Sequence, residues 1–143
     1  MEELERDALQ RAVVTFSVYH DAIEPAEISR LLCAEPHRVV RKGELIRVSE
    51  QQLRAARTGR WDVTTGWNCS PLLGQQIEVL LGKMTNDLAV WREIQQRFKT
   101  LVTVGGYFED WTGGFFLPLT TLVALSERML EIDFDLYANC SGN

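Results

Sequence analysis

A continuous apolar stripe between Ser70 and Lys99 limits the folds open to this chain more than any other feature of the sequence. Its apolar residues recur at steps of three and four, and they are Leu73, Ile77, Leu80, Met84, Leu88, Trp91, Ile94 and Phe98. This spacing places them on one face of a helix. Ser70 is a good N-cap, and the weak helix formers around Thr85 favour a break at which Thr85 caps a second helix. The stripe therefore predicts a long central helix, broken near Thr85, against which the rest of the chain packs.

Strand and helix patterns flank the central helix on both sides. Before the central helix they predict a strand at Val13–His20, a helix from Pro25 to Ala34, short strands at Arg38–Val40 and Leu45–Val48, helical turns at Glu50–Arg57 and a strand at Arg60–Thr65. After it they predict a strand at Leu101–Phe108, a helix at Leu119–Leu130 and a strand at Ile132–Tyr137. In the third helix, Leu122, Leu125 and Met129 form the predicted buried stripe. The pattern predicts an α+β fold of two βαβ-like halves, with helices packed on one face of a mostly antiparallel sheet, related to the ferredoxin-like architecture.

Length and composition indicate one soluble domain. The chain has 143 residues, 45% of them hydrophobic, and a net charge of -5. We expect an N-terminal extension over 1–12, one domain over 13–138 and a flexible tail over 139–143. No apolar run approaches the roughly 18 residues of a membrane span, and the acidic N-terminus does not resemble a signal peptide. These features predict a cytoplasmic protein that does not associate with membranes, and the acidic balance disfavours bulk nucleic-acid binding.

The three cysteines, Cys33, Cys69 and Cys140, form no close pair in the sequence. An odd count without a C-x-x-C motif predicts reduced thiols, and the spacing does not match that of a zinc site. Cys33 is predicted to be a small core residue of the first helix. We therefore expect no metal and no cofactor.

Several short motifs carry a resemblance to a known family. They are Val14–Tyr19, Glu24–Ile28, Leu31-Leu32, Glu35-Pro36, Arg41–Glu44, Gly59–Trp61 and Ile132–Tyr137. Together they resemble an uncharacterised bacterial family, domain of unknown function four-two-seven-nine, from about Val13 to Tyr137. Pro118-Leu119-Thr120 stands where that family would have a serine-proline helix start. The resemblance implies an α+β domain in a bacterial, soluble setting, and an immunity-type role beside secreted toxins by association.

Two unusual loops point to a binding surface. The segment from Arg38 to Arg60 is rich in basic residues, namely Arg38, Arg41, Lys42, Arg47, Arg54, Arg57 and Arg60, and Tyr107 to Phe116 is rich in aromatic residues and glycine. Aromatic and arginine side chains are enriched at protein interfaces. The sequence thus favours a non-enzymatic protein-binding module, an immunity-type or regulatory partner. Its candidate contact residues are Arg38, Arg41, Lys42, Arg60, Trp67, Tyr107, Trp111 and Phe115.

Two alternative functions remain open. A polar sheet face with Tyr19, Asp133 and Asp135, next to His20, would suit a small-ligand binder or an enzyme, because paired carboxylates can perform acid–base chemistry. The arginine-rich segment would instead suit an anionic ligand or a nucleic acid, whose binding depends strongly on salt. Homodimerisation through a sheet edge or the central helix is compatible with each function.

Overall fold

The computed structural model describes residues 8–69 and 72–138. In chain order its elements are β1 (Leu9–His20), α1 (Pro25–Leu32), β2 (Arg38–Val40), β3 (Leu45–Ser49), β4 (Gln52–Ala55), β5 (Gly59–Thr64), α2 (Leu73–Gly82), α3 (Leu88–Arg97), β6 (Lys99–Phe108), α4 (Leu119–Glu127) and β7 (Ile132–Tyr137). The predicted α+β class is confirmed, with a mostly antiparallel sheet and the helices on one side.

The main sheet has five strands in the order β2-β5-β1-β6-β7, so β1 lies at its centre. Strand β1 pairs antiparallel with β5 and β6, β2 pairs antiparallel with β5, and β7 pairs parallel with β6. Strands β1 and β2 are consequently parallel to each other, with β5 inserted between them. The units β1-α1-β2 and β6-α4-β7 are the two βαβ-like halves, and α2 and α3 connect them.

The core lies between β1 and the helices. Val14, Phe16 and Val18 alternate along β1 and are fully buried, as the period of a strand requires. A register shift between Leu9 and Arg11 lets Leu9 join the buried face although it is three residues before the buried Ala12. With this bulge, β1 begins at Leu9, four residues before the predicted start at Val13 and within the segment predicted as an N-terminal extension.

The central helix is divided as predicted, but a different residue caps the second part. Helix α2 ends at Gly82 and α3 begins at Leu88, after Asp87, whose carboxylate accepts a hydrogen bond from the Ala89 amide at 3.0 Å. The predicted cap at Thr85 is wrong. The Thr85 amide instead donates to the Leu32 carbonyl at 2.7 Å, which ties the break to α1. The predicted N-cap Ser70 lies outside the described residues.

The helical turns predicted at Glu50–Arg57 are also wrong. This segment contains β4, which pairs with β3 in a hairpin through Leu45↔Ala55, Ile46↔Arg54 and Arg47↔Leu53. Cross-strand pairing with β3 outweighs the local helical propensity of the segment.

Three residues predicted to be buried lie at the surface. Cys33 is exposed because it follows α1 in the left-handed conformation, with φ at 54°. Leu122 is exposed on α4, which instead buries Thr121 and Leu125, and Met129 is exposed after the end of this helix. The rotation of α4 is set by the close approach of Gly74 on α2, since a Cβ there would lie 2.9 Å from the Thr121 hydroxyl.

We expect Asp87→Ala to lower the free energy of unfolding by about 1 kcal/mol, because α3 loses its side-chain cap. Asp87→Asn is the matched control, since asparagine caps equally well without the charge. Urea unfolding followed by circular dichroism measures both. Equal destabilisation by the two variants would contradict the capping role.

Candidate functional site

The helices leave one face of the main sheet uncovered, and we call it the open face. Cross-strand pairing defines its members, because residues directly opposite each other share a face. Ser17 pairs with Asp62 and Leu101, and Thr15 pairs with Thr64 and Thr103. The described members are Arg11, Val13, Thr15, Ser17, Tyr19, Arg38, Val40, Arg60, Asp62, Thr64, Lys99, Leu101, Thr103, Gly105, Tyr107, Asp133, Asp135 and Tyr137. Most are polar, so the open face differs sharply from the apolar core face.

The β3–β4 hairpin and the ends of β1, β2 and β5 enclose a recess of about 170 Å³, which we call the arginine recess. Its lining residues are Tyr19, Arg38, Val40, Ile46, Arg54, Ala56, Arg57, Thr58 and Arg60. Four of these nine residues are arginines and none is acidic, so the recess concentrates positive charge in an acidic chain.

Arg60 is held in place by Asp62. Its Nε donates to Asp62 Oδ1 at 2.8 Å, and its guanidinium carbon lies 5.6 Å from the centroid of the Tyr19 ring. Burial disfavours the charged guanidinium, but the hydrogen bond and the charge of Asp62 outweigh it, so the pKa of Arg60 is raised. Asp62 itself is buried, which makes this pair the rigid part of the recess.

Arg38, Arg54 and Arg57 have unpaired guanidinium groups. Over residues 8–69 and 72–138, none of the three forms a salt bridge or a side-chain hydrogen bond. Unpaired cations close together repel one another, and an anion placed between them would relieve the repulsion. The recess therefore has the charge and the donors of an anion site.

Three aromatic rings form a row across the opposite end of the open face, and we call Trp67, Tyr107 and Tyr137 the aromatic ladder. Ring centroids of Trp67 and Tyr107 lie 5.6 Å apart, and those of Tyr107 and Tyr137 lie 5.5 Å apart in a stacked geometry. The Arg11 guanidinium lies 4.9 Å from the Trp67 ring and 5.0 Å from the Tyr107 ring. The exposed fractions of Trp67 and Tyr137 are 51% and 50%, so the ladder offers ring surface to solvent.

Local pairing explains why Trp67 reaches this row. Asn68 forms an antiparallel bridge with Ala12, which places the preceding Trp67 on the side of Val13 and hence on the open face. The indole lies over Gly105, where an added Cβ would be in ordinary van der Waals contact with its Cη2 atom at 3.7 Å.

Small side chains form the floor between the arginine recess and the aromatic ladder. Thr15, Thr64 and Thr103 lie there half-buried, beside Val13 and Ser17. Ser17 is fully buried, and its Oγ has no hydrogen-bond partner among the described residues. We call this floor the threonine trough.

The predicted contact residues fall into separate places. Arg38 and Arg60 line the arginine recess, and Trp67 and Tyr107 belong to the aromatic ladder.

Arg41 and Lys42 lie outside both. Arg41 Nη1 donates to the Ile23 carbonyl at 3.4 Å, and Lys42 pairs with Asp21 at 3.1 Å. The hydrogen bond from Lys42 lowers the pKa of Asp21.

Trp111 and Phe115 are not among the residues that strand pairing places on the open face. Trp111 is 79% exposed in the loop after β6. Phe115 packs on Phe134 with ring centroids 5.2 Å apart, on the helix side of the sheet, because Phe134 pairs with the buried Val104.

The predicted polar face is divided between the centre and one edge. Tyr19 lines the arginine recess on β1, whereas Asp133 and Asp135 lie on the edge strand β7. Asp135 accepts a hydrogen bond from the Tyr137 hydroxyl at 2.9 Å. His20 packs edge-on against Phe98, and its Nδ1 accepts from the Ala22 amide.

Sequence reasoning missed Arg11 and Tyr137 as site residues, and it named Arg54 and Arg57 only as members of the arginine-rich segment. Tyr137 shares its strand alternation with Asp133 and Asp135, which was a usable signal. Arg54 and Arg57 join the recess only through the β3–β4 hairpin, where helical turns were predicted. Over the described parts of the chain, no group of three or more His, Cys, Asp and Glu side chains is placed to hold a metal ion; Cys140 lies outside them.

The fold and the site define an α+β domain whose sheet has one face under helices and one open polar face. The chain belongs to the family described as Domain of unknown function (DUF4279), whose model matches residues 10–139. No curated protein and no solved structure matches the chain. None of the helices in the described ranges is long and apolar enough to cross a membrane.

The Tyr137–Asp135 contact makes a pH-dependent prediction. The hydrogen bond and the negative charge of Asp135 oppose the phenolate, so they raise the pKa of Tyr137 above its ordinary value. Asp135→Asn should lower that pKa, because the amide carries no charge. NMR titration of the tyrosine rings measures it, with Asp133→Asn as the control. An equal drop in both variants would contradict a direct contact.

Proposed function

We propose that this domain is a non-enzymatic binding module that holds an anionic group in the arginine recess. The observation that carries the proposal is that Arg38, Arg54 and Arg57 line one recess without an ion pair in the described chain. Guanidinium groups bind phosphate and carboxylate oxygens through paired hydrogen bonds.

The walls of the recess support a ligand that combines an anion with an apolar or planar part. Val40, Ile46 and Ala56 contribute apolar surface, and Tyr19 contributes a ring. The volume of about 170 Å³ is similar to the roughly 150 Å³ cavity that accommodates benzene in an engineered protein core. One phosphate or carboxylate with a small attached group therefore suits the recess.

The composition of the lining favours binding over catalysis. Four arginines line the recess, and a guanidinium group donates hydrogen bonds but has no acceptor atom. The lining supplies permanent hydrogen-bond donors rather than a proton acceptor. The biological setting that we propose is the bacterial cytoplasm, in an immunity-type or regulatory role, and a toxin gene beside this one would support that role.

The recess is tested with Arg38→Gln combined with Arg57→Gln. We expect the affinity for inorganic pyrophosphate to fall by about 10-fold or more, because hydrogen bonds to charged groups contribute about 1.5–3 kcal/mol each. Isothermal titration calorimetry measures it, with benzoate as the carboxylate probe. The control combines Arg30→Gln with Arg92→Gln, two exposed arginines on α1 and α3, and removes the same two charges elsewhere. An equal loss in the control would mean that only net charge matters.

A second candidate function, a protein contact through the loop after β6, is favoured by the 79% exposure of Trp111. Tryptophan is enriched among the residues that dominate interface energies. Trp111→Ala should reduce capture of a partner protein by about 10-fold or more while changing the free energy of unfolding by less than about 0.5 kcal/mol. Quantitative pull-down and urea unfolding measure these effects. Val79→Ala, an exposed apolar residue on α2, is the control; an equal effect on capture would overturn the assignment.

A further inference from the structure

We infer that the open face extends the arginine recess into a longer site for single-stranded nucleic acid, with phosphates at the arginines and bases stacked on the aromatic ladder. This inference rests on the proposed anion binding in the recess. It gives a binding role to the aromatic ladder and the threonine trough, which anion binding in the arginine recess does not involve.

The aromatic ladder presents ring surface suited to stacking. Trp67 and Tyr137 are each about half exposed, and both rings stand on the open face rather than in the core. Bases stack on aromatic side chains irrespective of sequence, because every base has a planar π face. Single-stranded nucleic acids expose such faces, whereas those of a duplex are stacked inside it.

The positive charge on the open face is complementary to the phosphates of a nucleic acid. Arg11 at the ladder and the four arginines of the recess place five guanidinium groups along this side of a chain whose net charge is -5. Of the carboxylates on the described strands of the open face, Asp62 is bonded to Arg60, and Asp133 and Asp135 lie on the edge strand β7. Arg11, Arg38 and Arg60 therefore lie on β1, β2 and β5, whereas Asp135 meets the face at its edge, where it accepts the hydrogen bond of the Tyr137 hydroxyl.

The threonine trough connects the two ends. From Arg11 to Tyr19, β1 spans about 26 Å at about 3.3 Å per residue, which is long enough for several nucleotides. Thr15, Thr64 and Thr103 keep its floor low and carry hydroxyl groups. Thr15 Oγ1 donates to Thr64 Oγ1, which in turn donates to the Val14 carbonyl at 3.2 Å, so these two hydroxyls are ordered.

The combination of rings and cations favours nucleic acid over an acidic peptide. An acidic peptide would find its partners in the arginines and would leave the aromatic ladder unused. A single-stranded nucleic acid carries a phosphate and a planar base in every unit, so it matches both ends of the face at once.

The test uses the intrinsic fluorescence of Trp67. Of the four tryptophans, Trp61 and Trp91 are fully buried and Trp67 and Trp111 are exposed, so Trp111→Phe leaves Trp67 as the exposed reporter. Adding a short oligouridylate should quench this emission, and inorganic pyrophosphate should not. The apparent affinity for the oligouridylate should fall steeply as salt is raised.

Variants separate stacking from charge. Fluorescence anisotropy of a labelled oligouridylate should show about a tenfold loss of affinity for Trp67→Ala or Tyr137→Ala, with pyrophosphate binding unchanged. Trp67→Phe retains a ring and should bind the oligouridylate nearly as well, even if the alanine variant is misfolded. The double variant at Arg38 and Arg57 should weaken both probes.

The outcomes distinguish this inference from the proposed function. If pyrophosphate binds but the ladder variants leave oligouridylate affinity unchanged, the nucleic-acid site is overturned and the recess stands. If an oligoglutamate of equal charge competes as well as unlabelled oligouridylate, an acidic protein partner replaces nucleic acid. If neither pyrophosphate nor oligouridylate binds, both assignments fail.

Discussion

The structure depends on the burial of one face of the central strand β1 against the helices. Phe16 lies between two indoles in edge-on geometry, with ring centroids 6.4 Å from Trp61 and 5.3 Å from Trp91. Each indole N–H is satisfied, by Ser29 Oγ at 3.1 Å and by the Thr85 carbonyl at 2.8 Å. A shift of one residue would expose this aromatic group and bury the polar face, so the core specifies the register of β1.

The same register decides what the open face can bind. Since Trp61 is turned into the core, its neighbours Arg60 and Asp62 must lie on the opposite side, where their ion pair forms the end of the arginine recess. The β3–β4 hairpin then adds Arg54 and Arg57 above the sheet. Core packing and site chemistry are therefore two consequences of one alternating pattern, and the cations converge where no carboxylate lines the recess.

Local patterns in the sequence predicted most of the strands and helices because those elements carry a regular apolar period. The apolar stripe from Leu73 to Phe98 packs against the core although the helix is divided, since α2 and α3 bury successive parts of it. The prediction for Glu50–Arg57 was wrong because its strand exists only by pairing with β3. The prediction of a buried Cys33 was also wrong. The apolar pattern of the sequence contains no signal for the left-handed conformation that Cys33 adopts after α1.

Alternation along the chain was enough to assign which residues of each strand lie together on one face, as for Asp133, Asp135 and Tyr137. Local composition also identified the arginine-rich segment and the aromatic segment as candidate binding regions. Strand order and the fold of the hairpin were decided by the tertiary structure alone. They place Arg54 and Arg57 beside Arg38, and Trp67 beside Arg11 and Tyr107, because these contacts join strands and loops that are distant in sequence. Periodicity reports the face that a residue occupies, but only long-range pairing determines its neighbours on that face.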